Sequence, residues 1–178
     1  MSGSEGAAEK RLFADCARAA GLIVGTDTDA NLPSGSISFT IGYWRKANAI
    51  HAWFVNNVQG GVDDRRAASV TREQLSELRA ICQRVLDGSP LAEGNVKTGE
   101  VWIMENGALK RTVNRTPGQI IIDPSVANEL LPTKAGFFFG NTEFDEGYIQ
   151  DLRDTIAIMD RALAPKFNNW SFTYHASW

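Results

Sequence analysis

The stretch EVWIMENGALKRTV, residues 100–113, decides the β part of the fold. Two runs of strand-like residues flank the pair Asn106-Gly107, and this pair between such runs is a strong signal for a two-residue type I′ hairpin turn. We therefore predict β structure over residues 99–122 and a hairpin that protrudes from the core. The wider region 95–122 is a candidate insertion in the domain.

Four further segments carry β or turn signals. Residues 116–119 (TPGQ) are rich in turn formers and predict a second turn, after which residues 120–123 (IIID) predict a third short strand. Residues 36–44 (SISFTIGYW) alternate between apolar and polar side chains, which indicates a half-buried strand. Residues 170–178 (WSFTYHASW) alternate in the same way, and we expect their terminal Trp178 to be docked beside helix 44–58.

Helical signals occupy most of the remaining chain. Thr71 and Gln74 match a capping box, and Gly88 followed by Pro90 predicts the end of that helix. Further helical segments are predicted at residues 7–20, 44–58 and 124–131 and, as the longest helix, within 141–164. The predicted fold class is α+β: after a disordered segment 1–6, a single domain over residues 7–178 has about four helices packed on a mostly antiparallel sheet.

Composition excludes several classes of protein. The chain has 178 residues and a formal net charge of −3, so it fits one domain and has no general field that would attract nucleic acid. Its longest apolar runs are far too short to cross a membrane, and the first residues lack a signal-peptide core, which predicts a cytoplasmic protein. Cys16 and Cys82 lie on apolar helical stripes and are predicted to be reduced core residues. We predict no metal and no cofactor.

The stretch YWRKANAIHAWF, residues 43–54, combines four aromatic side chains with two cations, an Asn and a His. On a helical wheel Asn48 and His51 share a face with apolar residues, so both must find partners if that face is buried. One interpretation is that they bond to neighbouring backbone and clasp the C-terminal strand. The other is that they line a ligand pocket.

The start of this predicted helix favours the pocket. Arg45 and Lys46 would lie in its first turn, where the helix dipole disfavours cations, so folding gives no reason for them. Together with free backbone N–H groups they would suit a phosphate or a carboxylate. Tyr43 and Trp44 could stack on a planar ring.

A second cluster, GFFFGNTEFDEGY at residues 136–148, is rich in acids. Asn141 or Thr142 can cap the long helix, and its acids complement the helix N-terminus. Asp145 projects towards the core side, where it could pair with Arg45 or His51. A pair of His51 and Asp145 would allow general acid–base chemistry, so these two residues are the catalytic candidates.

Three blocks of the chain resemble an uncharacterised family of small tailed-phage proteins. Members carry a YWRKAN-x-IH-x-WF segment, a GFFFG…(Y/F)DE…Y segment and a C-terminus close to SSW. The corresponding blocks here are YWRKANAIHAWFV (43–55), LPTKAGFFFGNTEFDEGY with DLRDTIAIMDRAL (131–148 and 151–163) and TYHASW (173–178). The last block ends in HASW rather than in a double Ser, and residues 95–122 have no counterpart.

The resemblance implies a phage or prophage origin and brings no activity with it. Small phage accessory proteins often act on the host, by inhibiting host enzymes or by binding or destroying defence signals. The location implied is the cytoplasm of the host cell.

Three hypotheses follow. In the leading one, the protein binds a small anionic, nucleotide-like ligand and sequesters a host defence signal. In the second, an enzyme acts on such a compound with His51 and Asp145; we favour binding over catalysis. In the third, the protein is a protein-binding module that inhibits a host factor through its hairpin. Formation of a homo-oligomer is compatible with all three hypotheses. The ligand-binding candidates are Tyr43, Trp44, Arg45, Lys46, Asn48, His51, Asp145 and Trp178.

Overall fold

The computed structural model describes residues 11–16, 38–136 and 141–177. The chain forms two compact units, Met1–Thr40 and Ile41–Trp178. In the first unit residues 11–16 are helical, as predicted. The predicted disorder of residues 1–6 lies outside the described residues.

The second unit is α+β with small antiparallel sheets, as predicted. Counting residues 11–16, the described residues contain five α-helical segments, three of them with seven or more residues, instead of about four helices. Two separate two-stranded sheets replace the single sheet that was expected. The elements of this unit, in chain order, are α1 (Asn48–Asn57), β1 (Ala68–Val70), α2 (Arg72–Gly88), β2 (Leu91–Glu105), β3 (Ala108–Ile121), α3 (Ser125–Leu130), α4 (Glu146–Leu163), a 3₁₀ turn (Pro165–Phe167) and β4 (Phe172–Tyr174).

Helix α2 begins and ends where the sequence predicts. The Thr71 hydroxyl accepts a hydrogen bond from the Gln74 backbone N–H at 3.2 Å, and the Gln74 side chain accepts one from the Thr71 N–H at 2.9 Å. This reciprocal pair satisfies two donors that the first turn leaves free. The predicted apolar stripe is buried at Leu75, Leu78, Cys82 and Val85. Burial also raises the pKa of the Cys82 thiol to about 12, which agrees with a core role.

Helix α4 packs on α2 and provides much of the core. Its cap is Asp145, whose carboxylate accepts hydrogen bonds from the backbone N–H groups of Gly147 and Tyr148. The prediction that Asn141 or Thr142 caps this helix is therefore wrong by several residues. The helix begins at Glu146, and its apolar stripe faces the core. The buried members of that stripe are Tyr148, Ile149, Leu152 and Met159.

Two predicted β features differ from the structure. Residues 38–44 form no strand, and the side chains of Phe39 and Tyr43 are exposed. The predicted turn at residues 116–119 is absent, because β3 runs through it without interruption. A Pro is tolerated there since each strand of a two-stranded sheet is an edge, so the missing N–H of Pro117 need not break a ladder bond.

The C-terminal segment docks as a strand. In β4, Phe172 pairs with Val70 and Tyr174 pairs with Ala68 of β1, in antiparallel register. The sequence gives no separate signal for β1, which has only three residues. Trp178 itself lies outside the described residues.

The hairpin of β2 and β3 confirms the prediction made from Asn106-Gly107. Both residues have positive φ, 51° and 78°, as a type I′ turn requires. At its base Ile121 is buried, and its N–H donates to the Phe144 carbonyl at 2.9 Å. A bulge interrupts the register between Lys97 and Gly99. We call residues 99–113, beyond this bulge, the arm.

Candidate functional site

The helix of the YWRKAN motif begins later than predicted. Helix α1 starts at Asn48, and Lys46 before it adopts a left-handed backbone conformation with φ 62°. Arg45 and Lys46 therefore precede the helix and are exposed, rather than lying in its first turn. The argument from the helix dipole consequently does not apply to them. Their exposure leaves both cations accessible to a ligand.

Helix α1 is buried around its whole circumference. The buried residues run without interruption from Asn48 to Val55. The face that Asn48 and His51 share with apolar residues is therefore buried. Its two polar members must therefore find partners within the protein or in a ligand, because an unpaired buried group costs about 1–3 kcal/mol.

Asn48 finds its partners in the protein. Its side-chain amide donates to the Asn141 carbonyl at 3.0 Å, and its side-chain oxygen accepts from the Lys134 backbone N–H at 2.9 Å. The side chain thus joins two backbone positions, one on each side of residues 137–140, to α1. This assigns Asn48 to the scaffold.

His51 lies between two polar side chains. Its Nδ1 is 2.7 Å from the Tyr174 hydroxyl, and its Nε2 is 3.0 Å from a carboxylate oxygen of Asp63. A carboxylate only accepts hydrogen bonds, so Nε2 carries the proton and Nδ1 accepts the hydroxyl of Tyr174. Burial, and then the nearby Asp63, raise the pKa of Tyr174 above its ordinary value, which keeps the hydroxyl a donor. His51 thereby clasps the C-terminal strand.

The aromatic residues of the motif have different roles. The ring of Phe54 stacks on Tyr174, with centroids 4.0 Å apart and planes 5° apart. The indole N–H of Trp44 donates to the hydroxyl of Thr155, a fully buried residue of α4, at 2.9 Å. Trp44 therefore ties the chain before α1 to the core. Of Tyr43 and Trp44, Tyr43 is the exposed side chain, so a ligand could reach its ring.

Asp145 is also engaged by the protein. One of its carboxylate oxygens caps α4. The other accepts a hydrogen bond from the side-chain amide of Asn141 at 2.8 Å. Asp145 binds Asn141 and the start of α4, whereas His51 contacts Tyr174 and Asp63, so these contacts do not favour an acid–base pair of His51 and Asp145. A shallow surface depression is lined by Arg72, Glu73, Ser76 and Leu163, none of which belongs to the predicted site.

The arm has an exposed apolar surface that is not among the predicted site residues. Trp102, Met104 and Leu109 have 65%, 70% and 64% of their surface exposed. A run of four consecutive apolar residues, 101–104, is the signal that could have predicted it. Such a run in a two-stranded ribbon must place apolar side chains on both faces, since successive residues point to opposite sides.

The charges of the arm are paired with one another. Glu100 accepts hydrogen bonds from Arg111 and from Lys97, and these bonds lower the pKa of its carboxyl to about 2. Lys110 lies 2.6 Å from Glu105. The two acids and two bases within residues 99–113 balance, so the arm is neutral overall. What the arm offers a partner is therefore mainly apolar surface.

Within the ranges that the structure describes, no three His, Cys, Asp or Glu side chains are placed to hold a metal ion. In the same ranges no helix is long and apolar enough to span a membrane.

Comparisons of the chain with protein-family models, with curated proteins and with solved structures give no match.

Proposed function

We propose that the protein is a protein-binding module that engages its partner through the arm. The observation that carries this proposal is the exposure of Trp102, Met104 and Leu109 on a ribbon whose charges are paired internally. Trp is among the residues most enriched at the energetic centres of protein interfaces. Contiguous apolar patches of a few hundred Å² on a protein surface commonly mark interaction sites.

Energetics support the same proposal. Burying one large apolar side chain contributes about 1.5–3 kcal/mol, so three such residues can supply much of the affinity of a specific complex. Among the described residues no further strand pairs with the ribbon within the arm, so the backbone groups along its edges could pair with an extended segment of a partner. The base of the hairpin is anchored at Ile121, which holds the arm in place for binding.

The phage origin belongs to this proposal as well. The three blocks that resemble the phage family supply the scaffold: α1 with Trp44 and His51, the capped helix α4, and the strand with Tyr174. The arm lies outside those blocks. We infer that the protein shares its scaffold with that family and that the arm adds specificity for a host protein. Binding through the arm takes place in the host cytoplasm and inhibits that host protein.

The test is an arm-less variant, in which an Asn-Gly turn replaces residues 99–113. It should melt within about 2 °C of the original chain, since the arm contributes little to the core. Affinity purification from host lysate identifies the partner, and calorimetric titration then measures its binding to both chains. We expect the arm-less variant to bind at least about a hundredfold more weakly.

Glu77→Ala, an exposed change on α2, is the matched control and should bind as the original chain does. If the arm-less variant keeps its full affinity, the arm is not the binding surface.

A second candidate function uses the surface before α1. Tyr43, Arg45 and Lys46 are exposed, and the left-handed conformation of Lys46 is a local strain of the kind that clusters at binding sites. In this proposal Tyr43 stacks on the base of a nucleotide-like ligand and the two cations neutralise its phosphates, which would sequester a host defence signal. Trp44, Asn48, His51 and Asp145 act as scaffold in both proposals.

Calorimetric titration with a panel of nucleotides tests this second proposal. Arg45→Ala should weaken binding by about 1.5–3 kcal/mol, the range for losing a charge-assisted hydrogen bond, without changing the melting temperature. Arg84→Ala, an exposed cation of α2, serves as the control. A panel in which no nucleotide binds the original chain removes this proposal and leaves the arm proposal unaffected.

A further inference from the structure

We infer that one face of the arm packs against the same face of a second copy of this chain. The inference rests on the proposed function, because that proposal takes the arm to be a binding surface. A second copy of the chain is one partner of that surface. The register of the hairpin divides the arm into two faces. Face A carries Glu100, Trp102, Met104, Leu109, Arg111 and Val113, and face B carries Val101, Ile103, Glu105, Ala108, Lys110 and Thr112.

Face A is the more exposed of the two. Trp102, Met104 and Leu109 are exposed by about two-thirds of their surface, at 65%, 70% and 64%, and Val113 adds 38%. On face B the two large apolar residues, Val101 and Ile103, are exposed by 42% and 43%. Face A therefore exposes twice as many large apolar side chains and exposes most of them more fully. An aqueous environment disfavours this arrangement unless something covers it.

The area of face A fits a symmetric contact. Four side chains of these sizes at these exposures present on the order of 400–500 Å². Two copies packed face to face would bury about 800–1,000 Å² from these side chains alone. With the backbone and the charged residues of the same face, the total reaches the lower end of the about 1,200–2,000 Å² found in specific interfaces. A second arm of equal size is thus enough to cover face A.

The charges of face A are self-complementary. Glu100 and Arg111 lie on this face with opposite signs, and the arm as a whole is neutral. In a twofold contact a patch meets its own copy, so a patch of one sign would repel itself. A face with one acid and one base around an apolar centre instead allows each Arg111 to approach a Glu100 of the other copy.

The resulting arrangement has a defined architecture. Two twisted ribbons stacked on their apolar faces form a small two-layer β structure, with the layers about 10 Å apart. An isolated two-stranded ribbon is marginally stable in water, so each arm also gains stability from the stacking. Face B, which carries the Lys110–Glu105 pair, stays on the outside of the dimer. A host protein that binds Trp102, Met104 and Leu109 therefore displaces the second copy from face A.

The test is sedimentation of the full chain from about 1 to 200 µM, which spans the affinities expected for an interface of this size. The original chain should form a dimer within this range. The double variant Met104→Thr/Leu109→Thr removes apolar surface from face A and keeps β propensity, and its dimer dissociation constant should rise at least about a hundredfold. The matched variant Val101→Thr/Ile103→Thr makes the same kind of change on face B and should raise that constant less than about threefold.

Circular dichroism and thermal melts confirm that both double variants keep the fold. A chain that sediments as a monomer throughout the range overturns the inference, and face A then belongs to a different protein. Equal weakening by the two double variants also overturns it, as does a dimer that survives in the arm-less variant. These outcomes are distinct from a failure of the proposed function, which shows as full affinity of the arm-less variant for the purified partner.

Discussion

Replacing Tyr174 by Ala is expected to lower the free energy of unfolding by about 3–5 kcal/mol, the range for truncating a packed aromatic side chain. The ring stacks on Phe54 at 4.0 Å, so its removal opens a cavity beside α1. The hydroxyl lies 2.7 Å from Nδ1 of His51, so its removal also leaves a buried ring nitrogen without that partner. Urea unfolding followed by tryptophan fluorescence measures the change.

Two companion variants separate the two contributions. Tyr174→Phe keeps the stacked ring and removes only the hydroxyl, which should cost about 1–3 kcal/mol. Thr173→Ala lies on the exposed side of the same strand and should change stability by less than about 0.5 kcal/mol. A loss below about 1 kcal/mol for Tyr174→Ala would contradict the docking of the C-terminal strand on α1.

Replacing Leu152 by Ala should destabilise the protein by a similar amount, about 3–5 kcal/mol. Leu152 is fully buried in the core cluster, on the apolar stripe of α4. A well-packed core relaxes little around a deleted side chain, so a cavity term adds to the loss of apolar burial. Denaturant unfolding of the variant should show a lower midpoint with an unchanged slope.

The neighbouring residue provides the control. Arg153 is exposed, and Arg153→Ala should leave the midpoint nearly unchanged. If both variants unfold at the midpoint of the original chain, the packing of α4 on α2 is not as the structure has it.

Local signals predicted the elements that local chemistry determines. The capping box of Thr71 and Gln74 defines the start of α2, and Asn106-Gly107 defines the hairpin turn. Predictions failed where tertiary contacts decide the backbone. Residues 38–44 alternate like a strand but do not form one, while the three residues of β1 become a strand because Tyr174 and its neighbours pair with them.

The same contrast between local signals and tertiary contacts holds for the candidate site. The sequence left open whether Asn48 and His51 hold the protein together or face a ligand, and the structure supports the clasp. No periodicity could reveal this, because the partners Lys134, Asn141 and Tyr174 lie far along the chain. The hairpin that forms the arm was predicted, and its exposed apolar surface could have been predicted too, since four consecutive apolar residues in a hairpin cannot all face one side.

The contact between His51 and Tyr174 also has a consequence for the timing of folding. The two residues are 123 positions apart, whereas the hairpin joins neighbours across a two-residue turn. At about 5–20 residues per second of synthesis, His51 and Phe54 wait on the order of 6–25 s for the tyrosine that completes their packing. The hairpin closes within microseconds of its own synthesis. During translation the arm therefore forms while α1 still lacks the C-terminal strand that covers it. In this interval the nascent chain exposes two apolar surfaces at once, so this is when a chaperone matters most.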